Sequence, residues 1–233
     1  MELIQLMTQL NLTRQEATIY VALLTEGDLN GYEAAKVTGI SRSNTYNSLS
    51  ALVEKGGAFV MEGQPVKYSP VALKEFCDNQ IRRLVQIKAQ IMKLAPEKRR
   101  EAEGYITIKG ETHILNKARH MISEAKERVY LSVTDQILET IVPDIQEAIA
   151  RGIKMVLITN PPFTLEGATV YYGKKNYHQI GLIADSANVL TGDIEEGENS
   201  TCLYSRKKNL VDLFKESMKN EIRLIEIVGE NSK

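Results

Sequence analysis

Cys77 and Cys202 are the only two thiols in the chain, no C-x-x-C pair occurs, and there are three histidines. This scarcity excludes a disulfide framework and leaves no spacing for a structural zinc site, so neither a metal nor a cofactor is expected. No apolar run approaches the ~18 residues that a membrane span requires. Glu2, Gln5 and Gln9 interrupt the first residues, so no signal peptide is read there, and a cytoplasmic protein with no membrane partner is the expectation. A net charge of −1 excludes a generally basic protein and confines any nucleic-acid contact to a local patch. Internal repeats and low-complexity segments are also missing. What remains is an ordinary globular composition over 233 residues, room for one large or two small domains.

The most informative stretch runs from Leu12 to Val71. Thr13-Arg14-Gln15-Glu16 is a capping box that opens a helix with Ala17, Tyr20, Val21 and Leu24 on one face, ending near Gly27. Asn30 caps a second, Tyr32 to Val37, which stops at Thr38-Gly39. Ser41 caps a third, in which Thr45, Leu49, Leu52 and Val53 form an inward stripe. Its other face carries Arg42, Ser43, Tyr46, Asn47 and Ser50, short polar groups able to read base edges from a major groove. Gly56-Gly57 then breaks the chain. Ala58 to Met61, a turn at Glu62-Gly63-Gln64-Pro65, and Val66 to Ser69 read as a hairpin. Three short helices followed by such a wing make the winged helix-turn-helix pattern.

Leu12-Thr13, Glu16-Ala17, Tyr20 to Leu24, Gly39 to Ser43, Tyr46, Leu49, Leu52, Glu54-Lys55-Gly56 and Tyr68-Ser69-Pro70 together resemble the helix-turn-helix module of the TrmB family of transcriptional regulators. The resemblance covers about sixty residues and implies binding of double-stranded DNA. Arg42, Ser43, Asn44, Tyr46 and Asn47 would face bases or adjacent phosphates, with Gln64 and Lys67 reaching the backbone from the wing. Residues 1–70 hold five basic against seven acidic side chains, a net of −2, where phosphate binding normally leaves a basic footprint. Affinity is therefore expected to be modest and to depend on dimerisation.

From Val71 to Pro96 one helical pattern prevails. Leu73, Cys77, Gln80, Leu84, Ile87, Ile91 and Leu94 alternate in steps of four and three, the seam of a coiled coil. About 25 residues span roughly 37 Å, close to the ~34 Å between successive major-groove faces. A dimerisation helix built on Leu73, Cys77, Leu84, Ile87, Ile91 and Leu94 is expected, against the alternative of a helix packed on its own C-terminal domain. Gln80 would set the register. Cys77 would act as a small hydrophobe or, if oxidised, pair with its dimer mate. Glu97 to Glu101 with Gly104 reads as a hinge.

Beyond it the elements alternate: strand 105–108, helix 111–127, strand 129–133, helix 135–151 bent at Pro143, and strand 153–159. After a loop of about twenty residues come strands 180–184 and 188–190 turning at Asp185-Ser186, strand 201–205, and a helix 210–223 with Leu213, Phe214 and Met218 inward; the tail 224–228 is ambiguous. This predicts an α/β domain with a mixed sheet. His178, Asp185 and Gly192 stand at the spacing of the phospholipase D signature His-x-Lys-x4-Asp-x6-Gly, with Ile180 at the lysine position. The resemblance implies a phospholipase-D-like fold without its catalytic lysine, as is common in the TrmB family's regulator domain. The plainer alternative makes His178 a surface loop residue and Asp185 a turn residue. In the loop, four aromatics with Lys174 and Lys175 would line a pocket for an anionic or sugar-like effector or pack at a dimer interface. Larger TrmB relatives bind sugars through an additional C-terminal domain, and with the sequence ending at Lys233 such sensing is not expected.

The sequence thus predicts a multidomain α+β protein. Its parts are a winged helix-turn-helix over 1–70, a coiled-coil dimerisation helix and hinge over 71–103, and a phospholipase-D-like regulatory domain over 104–233. The expected function is that of a homodimeric, sequence-specific DNA-binding regulator, not an enzyme, with a possible small-molecule effector that shifts the dimer geometry. The alternatives are a dimeric phosphodiesterase or nuclease, which Ile180 disfavours, and a winged-helix protein-interaction scaffold.

Overall fold

The computed structural model describes residues 2–96, 104–173, 178–195 and 199–230. The chain divides into two compact units, Met1–Lys98 and Arg99–Lys233. The expected hinge at 97–101 lies outside the described residues, as do Lys174, Lys175 and Tyr177. No helix among the described residues is long and apolar enough to cross a membrane.

The first unit opens with α1 (Glu2–Gln9), a helix the sequence reading did not identify. α2 (Arg14–Glu26) starts at the expected capping box, Thr13 accepting from the Glu16 N–H and Glu16 from the Thr13 N–H. α2 touches α1, α3 and α4, so it buries more than a single stripe: Ile19 and Leu23 join Ala17 and Tyr20, while Val21 and Leu24 are half-buried. β1 (Leu29–Asn30) leads into α3 (Gly31–Thr38), capped by Asn30 and Glu33 and ended by Gly39 at φ 72°. α4 (Arg42–Glu54) follows with Ser41 as its N-cap. β2 (Ala58–Met61) and β3 (Lys67–Pro70) form the predicted hairpin, and β3 also pairs with β1 through Leu29 and Tyr68.

α5 (Leu73–Leu94) matches the predicted long helix, but its first two turns belong to the winged-helix core. Phe76 is fully buried with its ring 5.1 Å from that of Tyr20, and the Tyr20 hydroxyl donates to the Val71 carbonyl at 2.7 Å. Cys77 packs half-buried against the same core. Gln80, read as a register residue, is buried and donates to the Lys55 carbonyl at 2.9 Å. The continuous exposed apolar surface of α5 therefore starts at Ile81, about two turns later than the seam pattern suggests.

The second unit is a seven-stranded mixed sheet in the order β4-β10-β9-β8-β5-β6-β7. Its strands are β4 (Tyr105–Lys109), β5 (Arg128–Ser132), β6 (Lys154–Thr159), β7 (Ala168–Tyr172), β8 (Gln179–Ala184), β9 (Asn188–Asp193) and β10 (Thr201–Ser205). β5, β6 and β7 run parallel; the other pairings are antiparallel. α6 (Glu111–Glu124) and α7 (Asp135–Ala150) contribute to the larger core, which contains Ile114, Ile122, Leu138 and Ile145 with Leu131, Leu157 and Leu182 of the sheet. α8 (Lys208–Glu230) contributes to a second core through Val211 and Met218 against Ile158, Ile183 and Val189.

Several expectations are corrected here. α6 ends at Glu124, not 127, and the residues read as an unstructured loop contain β7. The ambiguous tail continues α8. Leu213, expected inward, is 64% exposed; Val211 and Met218, seven apart, carry the buried face.

Candidate nucleic-acid interface

α4 presents its two faces as its spacing dictates. Thr45, Leu49 and Leu52 are buried with Ser48, and the Thr45 hydroxyl donates back to the Ser41 carbonyl at 3.0 Å. Arg42, Ser43, Asn44, Tyr46, Asn47 and Ser50 are all exposed, so five of the seven expected DNA contacts share one helix surface. Gln64 and Lys67 are exposed on the wing.

Two of these side chains are held in place. The Arg42 guanidinium carbon lies 4.5 Å from the centroid of the Tyr32 ring, and the Tyr46 ring presses on Gly31, where an added Cβ would come within 2.3 Å of it. A larger residue at position 31 would push the Tyr46 ring aside, so α3 and α4 approach closely where Gly31 meets Tyr46. Sequence reasoning missed Tyr32. The available signal was an exposed aromatic in the first turn of the helix preceding the reader.

The acidic balance is partly absorbed by the framework. Glu16 accepts from the Thr13 N–H and forms an ion pair with Lys55 at 2.6 Å; Glu33 accepts from the Asn30 N–H at 2.8 Å. Lys55 also ends α4, and its carbonyl receives Gln80. α2, α4 and α5 thus meet at one buried node, and the reader is fixed to the start of α5.

In the second unit, Ile180 and Gly192 of the degenerate signature pair across β8 and β9, while Asp185 lies apart from His178 at the other end of β8. His178 precedes β8 and Asp185 follows it, seven residues or roughly 20 Å along an extended strand. His178 is exposed, with Nδ1 3.3 Å from the Ile194 carbonyl. Ile180 is 2% exposed within the larger core. Gly192 has φ 151°, and a Cβ there would stand 2.3 Å from the Thr201 carbonyl oxygen.

Asp185 accepts from the backbone N–H groups of Lys126, Glu127 and Arg128 at 2.9, 2.9 and 3.0 Å. Burial works to raise its pKa, but these donors and the Lys126 charge outweigh it and hold the carboxyl below its ordinary value. Its role is to tie the β8–β9 turn, where Asp185 and Ser186 both take φ 52°, to the start of β5. Because the folded state lowers this pKa, the contribution is complete above the unfolded range near ~3.9 and is lost as pH falls toward the folded value. Asp185→Ala is expected to cost about 2 kcal/mol at pH 7 and to flatten the acid limb of the stability profile. Urea midpoints at pH 7 and pH 3 check this; a variant that loses as much stability in acid as the wild type would contradict it.

Two clefts flank the end of the sheet near His178. One, of about 390 Å³, is lined by Glu111, Thr134, Gln136, His178 and Glu195 among others. The other, of about 450 Å³, includes Ser132, Gln179, Thr191, Asp193 and Ser217. Neither has a lysine or arginine among its described lining residues. The loop aromatics are divided: Phe163 packs against the larger core and its carbonyl accepts from the Tyr172 hydroxyl at 2.9 Å, whereas Tyr171 packs against the α8-side core.

A family described as the sugar-specific transcriptional regulator TrmB matches residues 6–74. Its companion, the N-terminal subdomain of the TrmB EBD, matches residues 104–220, half of the chain. The chain belongs to the TrmB family of transcriptional regulators. Its relatives include the uncharacterized protein YrhO of Bacillus subtilis, 27% identical over 98% of this chain and 87% of YrhO. The DNA-binding transcriptional repressor TrmBL2 of Thermococcus kodakarensis is 30% identical over 75% of this chain and 73% of its own. The sugar sensing regulator TrmBL1 of Pyrococcus furiosus is 27% identical, but the match spans 59% of this chain and less than half, 42%, of TrmBL1. Among solved structures, the phospholipase D family member Nuc from Salmonella typhimurium aligns with 50% of this chain over 93% of its own, at 14% identity and a TM-score of 0.39.

Proposed function

We propose that this TrmB-family regulator binds double-stranded DNA as a homodimer, each chain laying α4 in a major groove and its wing beside it. The observation that carries the reading is the exposed polar face of α4, with Arg42 and Tyr46 already held by neighbours on α3. Major-groove readout needs such pre-positioned donors on a helix whose other face is anchored.

Dimerisation is supported by the far half of α5. Leu84 is 56%, Ile91 58% and Leu94 84% exposed, with Ile81, Val85, Ile87 and Met92 beside them. Apolar side chains at this spacing and exposure suit knobs-into-holes packing against a second copy. The buried node at Gln80 and Lys55 would pass the angle of the paired helices to the reading heads, so a ligand that favours one dimer geometry would change half-site spacing. The second unit has no catalytic part in this reading, because Ile180 offers no donor to a phosphate and is enclosed by the core.

Titration of a selected operator tests the assignment of faces. Arg42→Ala is expected to cost about 1–3 kcal/mol and to relax specificity at one position of each half-site, while Lys67→Ala weakens all sequences alike and lowers the salt slope by about 1 per chain. Unchanged binding by both variants would mean that another surface meets the DNA.

A further inference from the structure

Tyr32 stands in the first turn of α3, its backbone N–H bound to Asn30 Oδ1 at 2.9 Å. Its ring is exposed, so core burial does not account for its position. What it carries is Arg42, whose guanidinium sits over the ring face at 4.5 Å. Stacking engages the flat face of a guanidinium and leaves its in-plane N–H donors free, the set that meets guanine O6 and N7 or a phosphate in pairs. An unsupported arginine at the first position of a helix would lose its rotamer freedom on docking; a stacked one has lost much of it beforehand. Tyr46 braces the same corner from α4 by pressing on Gly31, the residue before Tyr32.

We propose that Tyr32 is a positioning residue for base readout: it holds the Arg42 guanidinium edge-on to the major groove, so that discrimination at the Arg42 position depends on a side chain of the preceding helix. This rests on the DNA-binding reading above. Tyr32 acts through Arg42 and need not touch the DNA itself.

The test compares wild type, Tyr32→Phe, Tyr32→Ala, Arg42→Ala and the Tyr32→Ala/Arg42→Ala double variant on a site selected from random double-stranded DNA. Each is also titrated on sites altered at single positions and on unrelated DNA. Arg42→Ala is expected to relax discrimination at one position of each half-site. Tyr32→Ala should reduce discrimination at that same position about three- to fivefold, the size of an exposed cation–π contact. Its affinity for unrelated DNA should hold, since that is set by phosphates. Tyr32→Phe keeps the ring face and should behave as wild type, and the double variant should match Arg42→Ala alone. Because the ring is exposed, Tyr32→Ala should melt as wild type does.

Wild-type discrimination by Tyr32→Ala, or an equal loss on every DNA, would overturn the proposal; the second result would place the ring on the backbone. If the wild type selects a site and Arg42→Ala discriminates as well as wild type, the DNA-binding reading stands and the role of the Tyr32–Arg42 pair falls. A wild type that selects no sequence would remove the DNA-binding reading, and the role of Tyr32 with it.

Discussion

Replacing Ile87 and Ile91 together with glutamate is expected to yield a monomer that binds its operator about 100-fold or more weakly. Ile91 is 58% and Ile87 38% exposed in the single chain, and neither belongs to the winged-helix core, which uses Phe76, Cys77 and Gln80 earlier on the same helix. Across a paired seam, however, each copy would face carboxylates with carboxylates in a desolvated strip. The DNA effect follows from valency. Two linked reading heads convert the second half-site contact into an intramolecular step, a gain of ~10² to 10⁴ that a monomer forfeits without changing one DNA contact. Sedimentation and operator titration on the double variant check this, with circular dichroism confirming that each chain stays folded. A variant that remains dimeric would move the interface off α5.

The second large effect concerns Ile180. Restoring the lysine of the phospholipase D signature by Ile180→Lys is expected to destabilise the second unit by about 4 kcal/mol or more and to produce no phosphodiesterase. Ile180 lies in the core that holds Leu182, Leu190 and Leu131. A lysine there must be buried charged or give up its proton, and lowering its pKa from ~10.4 to below 7 costs about that much. Ile180 lines the cleft with Gln179 and Thr191, whereas the cleft that His178 lines does not include position 180 and has no cation among its described lining residues. Thermal melts and a chromogenic phosphodiester assay decide the matter. Cleavage by a variant as stable as wild type would show that position 180 opens onto a working site.

The parts of the fold that were legible are those specified locally. The capping boxes at Thr13 and Asn30 and the Ser41 cap are written within four residues, and all three open helices where expected. β1 was not visible because two residues become a strand only by pairing with β3, almost forty positions away. β7 was lost for a similar reason, since its pairing with β6 defines it more than its own pattern. Leu213 was placed inward because α8 has apolar residues on more than one face; only the sheet opposite chooses Val211 and Met218.

The interface was half legible for the same reason. The outward face of α4 followed from periodicity, whereas the Tyr32–Arg42 stack depends on how α3 and α4 cross. Gln80 suited a coiled-coil register in one dimension, and in three it closes the C-terminal end of α4. Asp185 matched a catalytic signature by spacing, yet its oxygens hold backbone N–H groups 57 to 59 positions earlier in the chain.

Selection of bound sites from random double-stranded DNA at low salt, with the full chain, tests the central claim most directly. The account predicts an inverted repeat whose half-sites lie about one helical turn apart, ~34 Å, and which is bound by two chains. Failure to enrich any sequence, with the protein folded and dimeric, would contradict it and turn attention to protein partners for the exposed face of α4.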